Sequence, residues 1–228
     1  MLPIVTIDGP SGSGKGTIAK LLAARFGLRC LDSGALYRLL GLAARQAGTS
    51  LADADRLAEI ARSRRVEFEG ERVLLDGVDV ALEIRTEQAG NAASKVAALP
   101  EVRAALLQWQ RDYARAPGVV ADGRDMGTVV FPAAGTKIFL TASAEERAKR
   151  RYNQLNEKGL SANLPDLVAE IQERDERDSN RSVAPLRPAS DAFLLESTSL
   201  SVDEVLKQVV GQVLKAYPEL AEKGGPAG

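Results

Sequence analysis

Short apolar runs alternate with amphipathic stretches along most of this chain, and that rhythm predicts its elements. Residues 2–8 are a near-continuous apolar run closed by Asp8, as a fully buried strand would be. Residues 15–26 place Ile18, Leu21, Leu22 and Phe26 at helical spacing, with Gly27 where a helix would stop. A short strand at 29–31 and helices at 35–47 and 53–64 follow. The apolar runs 119–121, 137–140 and 193–195 predict further buried strands. After the last two, Ser143 with Glu146 and Ser201 with Glu204 have the spacing of helix capping boxes. Strands spaced by helices predict an α/β fold, a parallel sheet covered by helices on both faces.

Residues 66–80 break that rhythm. Val66-Glu67-Phe68 and Arg72-Val73-Leu74-Leu75 flank Glu69-Gly70-Glu71, and Asp76-Gly77 leads into Val78-Asp79-Val80, so a small antiparallel meander is expected here. Helical stretches at 87–99 and 101–115 complete what reads as an inserted subdomain. Residues 218–228, ending Gly-Gly-Pro-Ala-Gly, read as a disordered tail.

Composition narrows the chemistry. The 228 residues contain no histidine and one cysteine, Cys30. That excludes imidazole acid-base catalysis, a Ser-His-Asp triad, an internal disulfide and a cysteine-built metal centre within the chain. Thirty basic against 31 acidic residues leave a net charge of -1, so no overall basic field draws the chain to nucleic acid or to an anionic membrane. The first apolar run lacks the basic flank and length of a signal core, and no run approaches the ~18 apolar residues of a membrane span. A cytoplasmic protein is the expectation.

Gly9, Pro10, Ser11, Gly12, Ser13, Gly14, Lys15, Gly16 and Thr17 follow the first strand directly and open the first helix. This strand-loop-helix setting is the one a Walker A phosphate loop needs, since glycines fold the backbone into a cradle of N–H donors and Lys15 reaches the β- and γ-phosphates of ATP. The residue after Lys15 is Gly16, and the hydroxyl comes one place later at Thr17, which makes direct Mg²⁺ ligation by that hydroxyl doubtful. Neither the Asn-Lys-x-Asp string of a switch GTPase nor the Leu-Ser-Gly-Gly string of an ABC-type ATPase occurs.

Asp32, Ser33 and Arg38 gather after the second short strand, at the sheet edge where ligands of open parallel sheets bind; a helix cap with Arg38 on a solvated face is the simpler alternative. Asp122, Arg124 and Asp125 follow the strand at 119–121, and Asp122 has the Walker B position, placed to hold a water of the Mg²⁺ shell. Arg147, Lys149, Arg150 and Arg151 crowd one helix, and Arg174, Arg177 and Arg181 lie beyond a break at 160–165. Nearly balancing acids favour a solvated, ion-paired face, yet arginines on a closing lid would serve phosphoryl transfer between two polyanions.

The loop 9–17, Asp32 to Arg38, Asn91-Ala92-Ala93-Ser94-Lys95-Val96-Ala97, residues 122–132, Lys137-Ile138-Phe139-Leu140 and Glu173-Arg174-Asp175-Glu176-Arg177-Asp178-Ser179-Asn180-Arg181 resemble the bacterial cytidylate kinase family, in order and at compatible spacings over residues 2–215. The resemblance implies a P-loop kinase fold with its core at 1–38, 117–148 and 182–216. It further implies a nucleoside monophosphate-binding subdomain at 39–116, a helical lid at 149–181 and a tail at 217–228. The implied activity is transfer of the γ-phosphoryl group of ATP, with Mg²⁺, to CMP or dCMP by a monomer. Lys15, Arg124 and Arg174 would be catalytic, and residues 9–17 would hold ATP. Arg38, Arg124 and Arg174 would clamp the phosphate of CMP. Ser94, Arg103 and Asp125 would read cytosine, Asp178 the ribose, and Arg181 the phosphates or sugar. Ser33 would line the same site, and Arg147, Arg150 and Arg151 are weaker lid candidates. For Ser94 and Arg103 the residues alone read as ordinary polar helix positions. A kinase for UMP or for a phosphate-free metabolite is the nearest rival, and a non-catalytic ATP sensor is the rival from another class.

Overall fold

The computed structural model describes residues 2–69, 72–157 and 161–222. Along the chain, β1 (Ile4–Asp8), α1 (Lys15–Phe26) and β2 (Arg29–Asp32) come first. Next come α2 (Ser33–Gln46), α3 (Ala54–Ser63), β3 (Val66–Glu69), β4 (Arg72–Leu75), β5 (Val78–Asp79), α4 (Glu87–Val96) and α5 (Pro100–Tyr113). The chain then runs through β6 (Val119–Gly123), β7 (Thr136–Thr141), α6 (Ala144–Glu157), α7 (Leu164–Ser179), β8 (Phe193–Glu196) and α8 (Val202–Ala216). Asp32–Asp112 forms one compact unit, and the described residues on either side of it form another.

The flanking unit is built on a five-stranded sheet in the order β2-β6-β1-β7-β8. β1 runs parallel to β6 and to β7, and β7 parallel to β8. β6 is buried along its whole length, which explains why the sequence shows it as an unbroken apolar run rather than an alternation. Ile18, Leu22 and Phe26 of α1 share one apolar cluster with Val5 and Ile7 of β1, Ile138 and Leu140 of β7, and Val205, Val209 and Val213 of α8. Gly27 ends α1 in the left-handed conformation that the sequence predicts for it. Of the two expected capping boxes, Ser201 and Glu204 form theirs in full. Ser143 caps the Glu146 N–H, but Glu146 gives its carboxylate to Arg150 and the Ser143 N–H goes to Thr198 Oγ1, so that box is only half made.

In the Asp32–Asp112 unit, β3, β4 and β5 pair antiparallel as the meander predicts. Its turn residues Gly70 and Glu71 lie outside the described residues. α2 packs on α4, and Gly41 permits the close approach, since a Cβ there would sit 2.9 Å from the Cβ of Ala92.

The expected disordered tail needs correction. Pro218–Glu222 is a 3-10 helix with Leu220 buried, and the residue before it, Tyr217, is buried too. The Tyr217 hydroxyl accepts the N–H groups of Ile4 and Gly135 and donates to the carbonyl of Ile4, each at 3.0 Å. Apolar burial and a fully used hydroxyl hold this segment, whereas composition shows only its Pro and the Gly residues that follow it. Residues 223–228, with the Gly-rich end, and Leu160, at the start of the expected break, lie outside the described residues. No helix among the described residues is long and apolar enough to cross a membrane.

Candidate active site

β1 is the central strand, and the glycine-rich loop leaves its C-terminal end. A Cβ on Gly9 would lie 2.0 Å from the carbonyl oxygen of Leu140, so this position takes no side chain without moving the loop off β7. Gly12 and Gly14 have φ of +78° and +90°, the left-handed region that glycine enters at no steric cost. Gly14 caps α1, and Lys15 Nζ folds back to donate to the carbonyl of Pro10 at 3.0 Å. The loop thus presents a helix N-terminus and an ammonium group together. Thr17 is exposed in the first turn of α1, while Asp122 Oδ2 would be 3.5 Å from a Cβ on Gly16.

In-register pairing of Asp8 with Gly123 brings the segment 122–125 to the same sheet edge as the loop. Arg124 donates from Nε to Asp178 Oδ2 at 2.9 Å and from Nη1 to the carbonyl of Gly123. Arg181 donates from Nε to the carbonyl of Asp178 at 3.1 Å. Burial pushes the Asp178 carboxyl up, but Arg124, Arg181 and Arg174 together outweigh it and leave its pKa below the ordinary value. Four candidates from two parts of the chain therefore form one charged cluster. Asp125, next to Arg124, is buried at the start of a single π-helical turn, Met126–Val130, which the sequence does not announce.

In the Asp32–Asp112 unit, Asp32 caps α2 by accepting the Ala35 N–H at 2.9 Å, as the simpler reading of that segment expects. Ser33 and Ser94 are buried. Arg38 Nη1 donates to the carbonyl of Ile84 at 2.8 Å. Arg103 is also buried, stacks 5.7 Å from the Tyr37 ring centre and donates to the carbonyl of Ala97. Neither arginine lies on a freely solvated face.

Arg147 corrects the solvated-face reading of α6. It is 4% exposed and donates to the carbonyls of Ala142 and Ser11 and to both oxygens of Asp175, tying α6 to the phosphate loop and α7. Gly12 makes room for it, since a Cβ there would lie 3.2 Å from Arg147 Cβ. Arg150 likewise holds Glu146 and the carbonyl of Ser197.

Asp8 was visible in the sequence only as the residue that closes an apolar run. It is 4% exposed, and its two oxygens accept the N–H groups of Met126 and Gly127, each at 2.8 Å. Burial pushes its pKa up to about 6, against the pull of those two hydrogen bonds and with a further push from Asp125. The folded protein therefore takes up a proton at Asp8 between the ordinary value of 3.8 and about 6. Stability contributed by this group is full below that window, falls as pH rises through it and is level above. In urea titrations, the stability of the native chain relative to Asp8→Asn should accordingly drop by roughly 2 kcal/mol from about pH 4 to about pH 7. A difference that does not change with pH would contradict the raised value.

A phosphate loop on the central strand of a parallel sheet, with an acidic strand end beside it and arginines clustered nearby, defines a P-loop kinase. The fold is shared with a gluconokinase from Sinorhizobium meliloti 1021 (TM-score 0.50, 15% identity, 98% of each chain covered). An uncharacterized protein from Eubacterium ventriosum ATCC 27560 shares it too (TM-score 0.55, 11% identity, 94% of this chain and 99% of that one). The sequence model of the family described as cytidylate kinase matches residues 5–215. Cytidylate kinases of Aliivibrio salmonicida and Vibrio cholerae are each 58% identical over 212 residues, covering 91% of this chain and 95% and 94% of theirs. That of Stutzerimonas stutzeri is 57% identical over 218 residues. The chain belongs to the cytidylate kinase family.

Proposed function

We propose that this chain transfers the γ-phosphoryl group of ATP to CMP or dCMP, releasing ADP and CDP or dCDP, with the work divided among residues as follows. The observation that carries the division is the meeting of the phosphate loop with the Arg124, Asp178 and Arg181 cluster at one sheet edge. Residues 9–17 hold the ATP phosphates, and Lys15 stabilises charge on the transferring group. An oxygen of the CMP phosphate attacks the γ-phosphorus, and the bond to the β–γ bridging oxygen breaks. That phosphate is already an oxyanion, so no strong base is required and the lack of histidine costs nothing. Arg38, Arg124 and Arg174 clamp the acceptor phosphate, Asp178 takes the ribose hydroxyls and Arg181 serves the phosphates or sugar. Ser94, Arg103 and Asp125 read cytosine, and Ser33 lines the same site. Residues 149–181 act as a lid, and 39–116 as the acceptor-binding subdomain.

Asp122 beside the first turn of α1 is a hard oxygen donor, which suits Mg²⁺ held mainly by water and substrate phosphates. When bound, the ion supplies charge neutralisation between the β- and γ-phosphates. Every assigned residue comes from one chain, which supports action as a monomer, and free nucleotides as substrates support a cytoplasmic setting.

Asp125 is the most exacting part of the reading. An ionised carboxylate only accepts hydrogen bonds, so it favours the exocyclic amino group of cytosine and repels the carbonyl oxygen that uracil puts there. ADP release from ATP should require added CMP. Asp125→Ala should lower kcat/KM for CMP on the order of 10²-fold and that for UMP much less. ATP turnover indifferent to CMP would refute the activity, and an unchanged CMP to UMP ratio would refute the role of Asp125.

A further inference from the structure

We propose that Asp8 is a positioning residue for base recognition: its buried carboxylate holds the peptide that follows Asp125 and so aims the Asp125 side chain. The inference rests on the assignment of Asp125 to the base made above. The peptide joining Asp125 to Met126 is gripped at both ends. Its carbonyl, that of Asp125, accepts from the N–H of Val129 at 2.9 Å and of Val130 at 3.2 Å. Its N–H, that of Met126, donates to Asp8 Oδ1 at 2.8 Å. Pinning both ends of one peptide plane sets ψ of the residue before it, here 23° at Asp125, while β6 holds the chain on the other side. Backbone direction at Asp125 then decides where its carboxylate points.

The first N–H groups of a helical turn have no partner within it and are usually capped by a nearby side chain in the same segment. Asp125, at the capping position, makes no such bond. The cap comes instead from a different strand, because Asp8 Oδ2 takes the Gly127 N–H at 2.8 Å. Gly127 lets the turn lie close against β1 and β7: a Cβ there would be 2.9 Å from Thr6 Oγ1, 3.2 Å from Lys137 Cδ and 3.4 Å from Asp8 Oδ2.

A buried carboxylate near a second one is a costly way to cap a turn. Asparagine would be cheaper to bury, but it has one acceptor oxygen, and its amide would face an N–H. The arrangement calls for two acceptors, and only an ionised carboxylate supplies both at this length.

The test is steady-state kinetics of Asp8→Asn with ATP, CMP and UMP, alone and combined with Asp125→Ala. The ratio of kcat/KM for CMP to that for UMP should fall about tenfold, the worth of one misplaced hydrogen bond, with the KM for ATP within about twofold of native. In the Asp125→Ala background, Asp8→Asn should leave the ratio where it is, because both changes remove the same contact. A native ratio in Asp8→Asn, or a fall in kcat alone, would overturn the proposal and leave Asp8 a support of the sheet. If Asp125→Ala itself preserves the ratio, the base assignment falls first. Should Asp8→Asn not fold, Gly127→Ala pushes the same turn away from β1, because its Cβ would crowd Thr6 and Asp8, and an unchanged ratio there would overturn the proposal equally.

Discussion

Lys15→Ala is expected to lower kcat about 10³-fold, the loss typical of removing one preorganised charge from a transition state. The ammonium is not a loose surface group. Its side chain is buried and Nζ rests on the carbonyl of Pro10, so the cation is placed before ATP arrives. Losing that hydrogen bond costs about 1 kcal/mol of stability, far less than the catalytic loss of about 4 kcal/mol. The loop keeps its shape through contacts the substitution does not touch, namely Gly9 against Leu140 and Gly12 against Arg147. Rapid-quench measurement of a single turnover, with a thermal melt of the same sample, separates the two effects. A native-like kcat would remove Lys15 from the reaction, and a collapsed melting temperature would show it to be structural.

Arg124→Ala should cost about 10²- to 10³-fold in kcat/KM for CMP through loss of a forked donor to the phosphate. It should also disturb the fold in a pH-dependent way. Arg124 and Asp178 have side chains 15% and 4% exposed, so removing the arginine leaves a carboxylate buried without its nearest cation. Breaking a buried pair costs about 3 to 5 kcal/mol where nothing else compensates. Here Arg181 and Arg174 remain near Asp178, so the cost should be smaller. Asp178 has its pKa lowered in the native protein, so its contribution is present above the unfolded value of 3.8 and is lost as pH falls through the folded one. The stability gap between native protein and Arg124→Ala should therefore be widest near neutrality and shrink in acid. Equal kcat/KM for CMP in the two proteins would exclude Arg124 from the acceptor site.

The parts of this molecule that the sequence made legible are those coded by neighbours along the chain. The loop at 9–17, the strand at 119–121 with its acidic end and the meander at 66–80 each carry their own local pattern. Strand order was not legible, because parallel strands are joined through distant crossovers and the apolar runs of β1, β6 and β7 look alike. The burial of Arg147 was not legible for a related reason. Its helix has the alternating charges of a solvated face, and only the fold brings the carbonyl of Ser11 and the carboxylate of Asp175 to it. Asp8 had one visible signal, a charge closing a strand otherwise fit to be buried. Its partners are more than a hundred residues away, so the signal could not name them. The half-made box at Ser143 shows the converse: correct local spacing yields to a stronger ion pair, with Arg150.

The hydroxyl of Tyr217 has a bearing on how the chain is made. Ile4 leaves the ribosome 213 residues ahead of the phenol that pairs with its N–H and carbonyl. At about 5 to 20 residues per second, that is a wait of roughly 10 to 40 s during which the start of β1 has no side-chain partner. The sheet can gather around β1 as β6 and β7 emerge, but its lower edge is sealed only when residue 217 arrives. A nascent chain halted after α8, with that helix in place and Tyr217 missing, would leave the N–H groups of Ile4 and Gly135 open to water or to another chain. Arrival of residue 217, rather than formation of the phosphate loop, is the event that closes this part of the sheet.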